Sequence, residues 1–167
     1  MTAHLCICGA GYLAYIAMLL LLPLRMKKRL ALAGGKVLAL AGQVSRTYIA
    51  VLIVAPLLIT FVMLHGMGPL MDMVFCLCAV LAVYIAQSEA LCRKNSGVYQ
   101  KALVADGKMH FLSDIEALPT LAWEESPDNT LEILSKDGNS VRIAFADKEE
   151  RRAAVEAMLS LQARLKP

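Results

Sequence analysis

Residues 48–65 read YIAVLIVAPLLITFVMLH, and residues 70–91 read LMDMVFCLCAVLAVYIAQSEAL. At about 1.5 Å of rise per residue, each run is long enough as a helix to cross a hydrocarbon core of about 30 Å. The segment GMGP (66–69) between them is a turn signal. The pattern therefore predicts two antiparallel spanning helices joined by a tight turn. Pro56 removes a backbone hydrogen bond, so we expect a kink near Ala55, with neighbouring helices compensating for the loss.

A further apolar run, LCICGAGYLAYIAMLLLLPL (5–24), lies near the start of the chain and carries no charge. A cleaved signal peptide has its cations before the apolar core, whereas the cations here follow it, so we expect this helix to be retained. The sequence thus predicts a transmembrane domain over residues 1–95. Its helices lie at about 5–24, 48–65 and 70–91, with a loop at 25–47.

The basic residues beside these helices are unevenly distributed. The 25–47 loop has six Lys or Arg and no acid, Arg93 and Lys94 follow the third helix, and the 66–69 turn has none. Because cationic loops stay in the cytoplasm, the N-terminus is predicted outside, and the loop and the chain after residue 95 inside. This arrangement fits a bacterial plasma (inner) membrane. Residues 30–46 are too apolar for a free loop, and we expect them to lie partly in the headgroup layer.

The character of the chain changes after the third helix. Of its 14 acidic residues only Asp72 and Glu89 precede residue 97, and the apolar residues then alternate as they do in half-buried strands. Asp106-Gly107 is a strong hairpin signal. The predicted strands are 98–104 and 108–112 around that turn, 115–124 with an interruption at Pro119 and an end near Trp123 before a turn at 126–129, and 131–135 and 141–145 around a turn at 136–139.

The last segment has the spacing of an amphipathic helix. Asp147 is a natural N-cap, and Glu149 and Glu150 stand in the first turn, where the helix dipole favours anions. About five strands followed by one helix predict a small α+β domain over residues 96–167. The helix is expected to cover the sheet with a stripe made of Ala154, Val155, Met158, Leu159, Leu161 and Leu165.

This second half resembles the small bacterial domains related to the pleckstrin-homology fold, which are often tethered behind two or three membrane helices in proteins of unknown function. The resemblance covers roughly residues 97–165, and it implies a PH-like antiparallel sheet with one C-terminal helix but no activity. The residues that carry it are Gly97-Val98-Tyr99, Asp106-Gly107-Lys108, Phe111 to Glu116, Ile143-Ala144-Phe145 and the acidic start of the last helix at Asp147.

One group of side chains in the membrane half has the chemistry of a metal site. Thioether, imidazole and thiolate are the ligands that a soft ion such as Cu(I) prefers. Ordinary packing in a membrane helix is the competing explanation, because methionine and cysteine are also common apolar residues there. The candidate ligands are Met63, His65, Met67, Met71 and Met73, joined on the same predicted side of the membrane by His4, Cys6 and Cys8.

Other chemistry finds little support in the sequence. Glycine-rich phosphate loops, zinc-type spacings and dinucleotide motifs do not occur, so no cofactor is predicted. Residues 97–167 have nine Lys or Arg against twelve Asp or Glu, a balance that disfavours nucleic acid. Cys76 and Cys78 point about 200° apart on a helix and cannot pair with each other. His110 lies on a predicted strand, and Tyr99 and Trp123 are expected to pack in the core, with a peptide groove as the alternative.

These features predict a non-enzymatic multi-pass membrane protein whose helices lie in the lipid bilayer. Its PH-like domain, residues 96–167, is expected to bind a cytoplasmic protein partner or a second copy of the chain at the membrane surface, with open sheet edges as the place of contact. The sequence identifies no small-molecule ligand. The alternative function is an accessory role in copper-type metal handling or transport, through the methionines and histidine at 63–73.

Overall fold

The computed structural model of the protein describes residues 2–42, 44–117 and 129–165. The chain divides into two compact units. The helical unit comprises Met1–Met26 and Val44–Ala90, and the sheet unit comprises Lys27–Gln43 and Leu91–Pro167. The loop between the first two helices therefore belongs with the C-terminal part of the chain.

Three long helices form the first part of the chain: α1 (Thr2–Ala33), α2 (Arg46–His65) and α3 (Pro69–Lys94). All three are long and apolar enough to cross a membrane. This finding confirms the prediction of three spanning helices and indicates a membrane location. α1 differs from the prediction at its end, because it continues past residue 24 to Ala33 before Gly34, which has a left-handed φ of 84°, stops it.

α2 and α3 are joined as the sequence predicts. α2 begins after Ser45, whose hydroxyl accepts a hydrogen bond from the Thr47 amide, and it ends at Gly66 in a left-handed conformation. A glycine is favoured there because φ is 55°. α2 continues through Pro56; the kink expected near Ala55 stays a prediction.

The sheet unit contains two antiparallel sheets and a helix. One sheet has four strands in the order β1-β2-β3-β4, and the other has three in the order β5-β6-β7. A short 3-10 turn (Leu112–Asp114) links the sheets. The strands are β1 (Lys36–Ala39), β2 (Gly97–Tyr99), β3 (Ala102–Ala105), β4 (Lys108–Phe111), β5 (Ile115–Ala117), β6 (Thr130–Ser135) and β7 (Ser140–Ala144), and the C-terminal helix is α4 (Lys148–Leu165).

The prediction of about five strands was too low, for two reasons. First, the predicted strand 98–104 is two short strands, since the chain turns back at Gln100-Lys101 so that Val98 pairs with Leu103. Second, β1 comes from the loop between α1 and α2. The predicted 115–124 strand is β5 up to Ala117, while its remainder, with Trp123 and most of the 126–129 turn, lies outside the described residues.

β1 is a strand that the sequence did not predict. Residues 30–46 were expected to lie partly in the headgroup layer, which stays a prediction; within them, Lys36–Ala39 form a strand that pairs antiparallel with β2. The ends of the strand are also fixed, because the amides of Gln100 and Leu40 donate to the carbonyls of Gly35 and Ser96. Sixty residues of chain separate the two partners, so the local pattern gave no sign of the pairing.

The two predicted hairpin turns are confirmed. Asp106 and Gly107 both have positive φ, 46° and 74°, the conformation that a two-residue hairpin between β3 and β4 requires. β6 and β7 pair in register from Thr130 opposite Ala144 to Leu134 opposite Ser140.

α4 and both sheets share one apolar core. The Asp147 carboxylate caps the helix by accepting from the Glu150 amide at 2.7 Å. Ala154, Val155, Met158 and Leu161 of the predicted stripe are buried, whereas Leu159 is 39% exposed; that position was wrong, because it lies beside the stripe. The side chain of Leu165 lies outside the described residues. The core comprises Val98, Leu103, Ala105, Leu112, Ile115, Leu131, Ile133, Ile143, Phe145, Ala154, Val155, Met158 and Leu161.

Candidate functional site

A cleft of about 140 Å³ opens in the sheet unit beside β4. Successive side chains of a strand point to opposite faces, yet three consecutive β4 residues line this cleft, so it follows the strand's edge rather than one face. Its walls combine apolar and polar side chains: Met109, His110, Phe111, Asp114, Ile115, Ile133, Ser135, Asp137 and Val141.

β4 is an edge strand within the described part of the chain. It pairs with β3 on one side, from Ala102 opposite Phe111 to Ala105 opposite Lys108, and the four-stranded sheet ends there. A strand at a sheet edge presents unpaired N–H and C=O groups that an added strand can use. The cleft therefore joins an edge able to form backbone hydrogen bonds with pockets able to take side chains.

Backbone hydrogen bonds hold the two walls of the cleft together. The Leu112 amide donates to the Lys101 carbonyl at 2.9 Å, which fixes the chain as it leaves β4. The Asp114 carbonyl then accepts from the Lys136 amide at 2.9 Å and from the Ser135 hydroxyl at 3.2 Å. These contacts tie the 3-10 turn to the β6–β7 hairpin, so the cleft is built into the fold.

His110 is one of the cleft-lining residues, and one nitrogen of its ring, Nε2, is buried without a hydrogen-bond partner among the described residues. Burial, together with the nearby Lys108 ammonium, lowers the pKa of His110, so the ring is neutral at pH 7. The sequence placed His110 on a strand, as found, but gave no sign of the cleft.

The charge at the cleft is negative. Asp114 and Asp137 are exposed, and no Lys or Arg is among the cleft-lining residues. Two carboxylates beside a cleft that is also lined by Met109, Phe111 and Val141 favour a ligand that combines cationic and apolar groups.

Tyr99, a candidate for a peptide groove, lies instead in the interior of the sheet unit. It is 6% exposed, and its hydroxyl donates to the Asn95 carbonyl at 2.9 Å. Burial raises the pKa of this hydroxyl. The Lys36 ammonium lies 5.4 Å from the centre of its ring, so Tyr99 helps to hold β1. The core-packing interpretation is the one that fits these contacts.

In the helical unit, polar groups meet where His4 of α1 approaches α2 and α3. His4 Nδ1 lies 2.7 Å from the Asp72 carboxylate, and His4 Nε2 lies 2.8 Å from the Met63 carbonyl. The other oxygen of Asp72 accepts from the Met67 amide at 3.0 Å. Asp72 is 1% exposed, and a buried carboxylate with these partners links all three helices.

Two further interhelical contacts form where prolines free a carbonyl. A proline at position i cannot donate to the carbonyl of residue i−4. Pro56 frees the Leu52 carbonyl, which accepts from the Tyr15 hydroxyl at 3.1 Å. Pro23 frees the Leu19 carbonyl, which accepts from the Gln87 amide at 3.2 Å. The compensation by a neighbouring helix expected at Pro56 is present, and Pro23 shows the same kind of contact.

The predicted metal ligands occupy this same end of the bundle but make other contacts. Met63 and Met67 contribute backbone groups to the His4–Asp72 cluster, and the His65 ring approaches the Phe61 carbonyl at 3.0 Å and stacks on Phe61. Within the described residues no three His, Cys, Asp or Glu side chains are placed to share an ion. A site built from thioethers stays a prediction. The four methionines Met63, Met67, Met71 and Met73 are all exposed.

Comparison of the sequence with protein families and with curated proteins, and of the fold with solved structures, finds no match.

Proposed function

We propose that this chain is a membrane-anchored interaction module, in which the cleft beside β4 binds an extended segment of a partner protein. The observation that carries the proposal is the coincidence of an open strand edge with a cleft of mixed apolar and polar lining at Met109–Phe111. Backbone hydrogen bonds to the edge supply affinity, and pockets for alternate side chains supply specificity. The acids Asp114 and Asp137 select a segment that carries Lys or Arg.

The proposal includes a PH-like fold for the sheet unit. Its support is that antiparallel sheet structure precedes one C-terminal helix, as the resemblance implies; the two sheets have four and three strands, more than the sequence predicts. One added strand, residues 36–39, comes from the loop between α1 and α2.

The proposal also places the sheet unit in the cytoplasm of a bacterium, at the plasma membrane. Support comes from the distribution of charge: basic residues cluster at Arg25–Arg29 and at Arg93-Lys94, whereas the Gly66–Pro69 turn has none. Single-cysteine variants in a cysteine-free background, labelled in intact cells with a membrane-impermeant maleimide, test this placement. Cysteine at Met67 should react, and cysteine at Asp137 should react only after the cells are lysed.

Peptide selection tests the binding activity. The full chain in lipid nanodiscs is used to select from a displayed library of random extended peptides. We expect selected peptides to alternate apolar residues with Lys or Arg. Affinity for one selected peptide, measured by fluorescence anisotropy, should fall several-fold in Asp137→Lys. Glu132→Lys is the matched control, since it makes the same charge change at an exposed β6 residue outside the cleft and should bind as the parent does.

The outcomes separate the possibilities. A selected motif that matches a segment of this chain, together with a dimer that the peptide dissociates, would assign the cleft to self-association. Failure to select any peptide, or equal losses in Asp137→Lys and Glu132→Lys, would contradict the binding cleft.

A further inference from the structure

Two cysteine motifs of the same form lie in different helices. Cys6-Ile7-Cys8 is in α1, and Cys76-Leu77-Cys78 is in α3. In each motif one cysteine is buried and the other is exposed, because residues two apart on a helix point about 200° apart. Spacing alone cannot show which cysteine of one motif faces which cysteine of the other.

The structure brings the two buried cysteines together. Cys8 is fully buried, Cys76 is 5% exposed, and both belong to the same buried cluster of the helical unit. The two side chains are therefore neighbours within one packed cluster. Gly11 permits the close approach of α3, because a Cβ at that position would lie 3.2 Å from both Cβ and Sγ of Cys76.

The Cys8–Cys76 pair lies next to another contact between α1 and α3, that of His4 with Asp72. Cys8 follows His4 by one helical turn, and Cys76 follows Asp72 by one turn. The His4–Asp72 contact at 2.7 Å therefore fixes the register of α1 against α3 immediately beside the thiols. Two neighbouring thiols held by a fixed helix register have little conformational entropy to lose on joining.

We propose that Cys8 and Cys76 form a redox-active pair that closes to an interhelical disulfide, with a membrane-dissolved quinone as the oxidant. Two S–H bonds break and one S–S bond forms. The two electrons and two protons pass to the quinone, which becomes the quinol. An apolar oxidant suits the position of the pair, because both thiols are buried in helices whose outer faces are apolar and exposed.

Thiol counting on the full chain in nanodiscs tests the proposal. The reduced protein has five free cysteines. A short-chain quinone should leave three that react with a maleimide after denaturation, and mass spectrometry should identify a peptide containing the Cys8–Cys76 bond. Ferricyanide, an ionic one-electron oxidant of which two ions are consumed per disulfide, should oxidise the pair at least tenfold more slowly. The disulfide should also raise the Tm of the helical unit, since it joins α1 to α3.

The duplicated motif provides matched controls. Cys8→Ala and Cys76→Ala should each abolish the loss of two thiols, whereas Cys6→Ala and Cys78→Ala should leave it unchanged. Circular dichroism at 222 nm identifies any variant that fails to fold. For such a position, the disulfide-linked peptides of the parent protein show whether that cysteine is part of the bond. Five reactive thiols after quinone treatment, or a bond that involves Cys6 or Cys78 as often as Cys8 and Cys76, would overturn the proposal.

Discussion

The helical unit and the sheet unit bury their side chains by different rules. In the sheet unit, apolar residues from both sheets and α4 form one continuous core. In the helical unit, the most apolar stretches are only 17–22% buried, and large residues such as Leu57 and Ile85 are more than 60% exposed. Lipid removes the hydrophobic penalty for that exposure, so helix association depends on close packing and polar contacts. The comparison teaches that a large apolar side chain such as leucine contributes much to the stability of the sheet unit and little to that of the helical unit.

Leucine truncation tests that contrast most strongly. Leu131, 1% exposed in the sheet core, and Leu57, 61% exposed on α2, provide a matched pair. Leu131→Ala should destabilise the sheet unit by about 2–5 kcal/mol, because it leaves a cavity in a packed core. Leu57→Ala should cost less than about 1 kcal/mol in a bilayer, where the leucine contacts lipid. Thermal unfolding of the full chain in nanodiscs measures both, and equal losses would contradict the contrast.

The next effect concerns the junction of β1 and β2. A Cβ at Gly97 would lie 2.6 Å from the Leu38 carbonyl, so Gly97→Ala forces the two strands apart. We expect a cost of about 1–3 kcal/mol, as for other overpacked sites. Gly9→Ala on α1, where a Cβ meets nothing within 4 Å, is the control. Amide exchange of residues 34–42 should accelerate in Gly97→Ala alone.

The third-largest effect is expected from substitution of Asp72, the buried carboxylate of the helical unit. Asp72→Ala removes the partner of His4 and of the Met67 amide, which leaves polar groups unpaired at a cost of about 1–3 kcal/mol. Asp72→Asn keeps an oxygen that can accept from Met67 and should lose less. Resistance of α3 to proteolysis in lipid measures the effect, and the account fails here if Asn and Ala are equally damaging.

A smaller effect is expected at the carbonyl freed by Pro56. Tyr15→Phe removes the hydroxyl that donates to the Leu52 carbonyl, at a cost of about 1 kcal/mol. In a Pro56→Ala background the new backbone N–H can bond that carbonyl, so Tyr15→Phe should then cost less. A double-mutant cycle on unfolding in bilayers gives the coupling, and zero coupling would contradict the role assigned to Tyr15.

The smallest effect is a pH dependence of the sheet unit. Burial lowers the pKa of His110 below its ordinary value of 6.5, so the unfolded chain binds a proton that the folded protein resists. Stability is therefore expected to fall as the pH drops from about 6.5 through the lowered pKa. Thermal melts between pH 7.5 and pH 5 should show a shallower slope for His110→Gln than for the parent. An unchanged slope would mean that His110 is protonated as readily in the folded state.

The sequence predicted what depends on neighbouring residues. Apolar runs near 20 residues long indicated the three spanning helices, Asp106-Gly107 indicated a hairpin, and Asp147 indicated the start of α4. Contacts between distant residues escaped prediction. β1 lies 60 residues from its partner, and Cys8 faces Cys76 only because the helices pack in one particular register. Pro23 and Pro56 are local signals for two of these interhelical contacts, since each leaves the carbonyl four residues earlier without its helical donor.

Part of the candidate site could have been anticipated and part could not. The β4 strand and His110 were placed correctly, and open edges were the expected place of contact. The cleft itself depends on the hydrogen bonds between the 3-10 turn at Leu112–Asp114 and the β6–β7 hairpin. No local sequence pattern predicts those bonds.

The central claim is that a loop between two membrane helices completes the sheet unit whose other edge binds an extended segment. Hydrogen–deuterium exchange of the full chain in nanodiscs, with and without a selected cationic peptide, tests it most directly. The account predicts slow exchange over residues 34–42 in both states, and slowing over residues 108–111 only when the peptide is present. Fast exchange at 34–42, or unchanged exchange at 108–111 with saturating peptide, would contradict it.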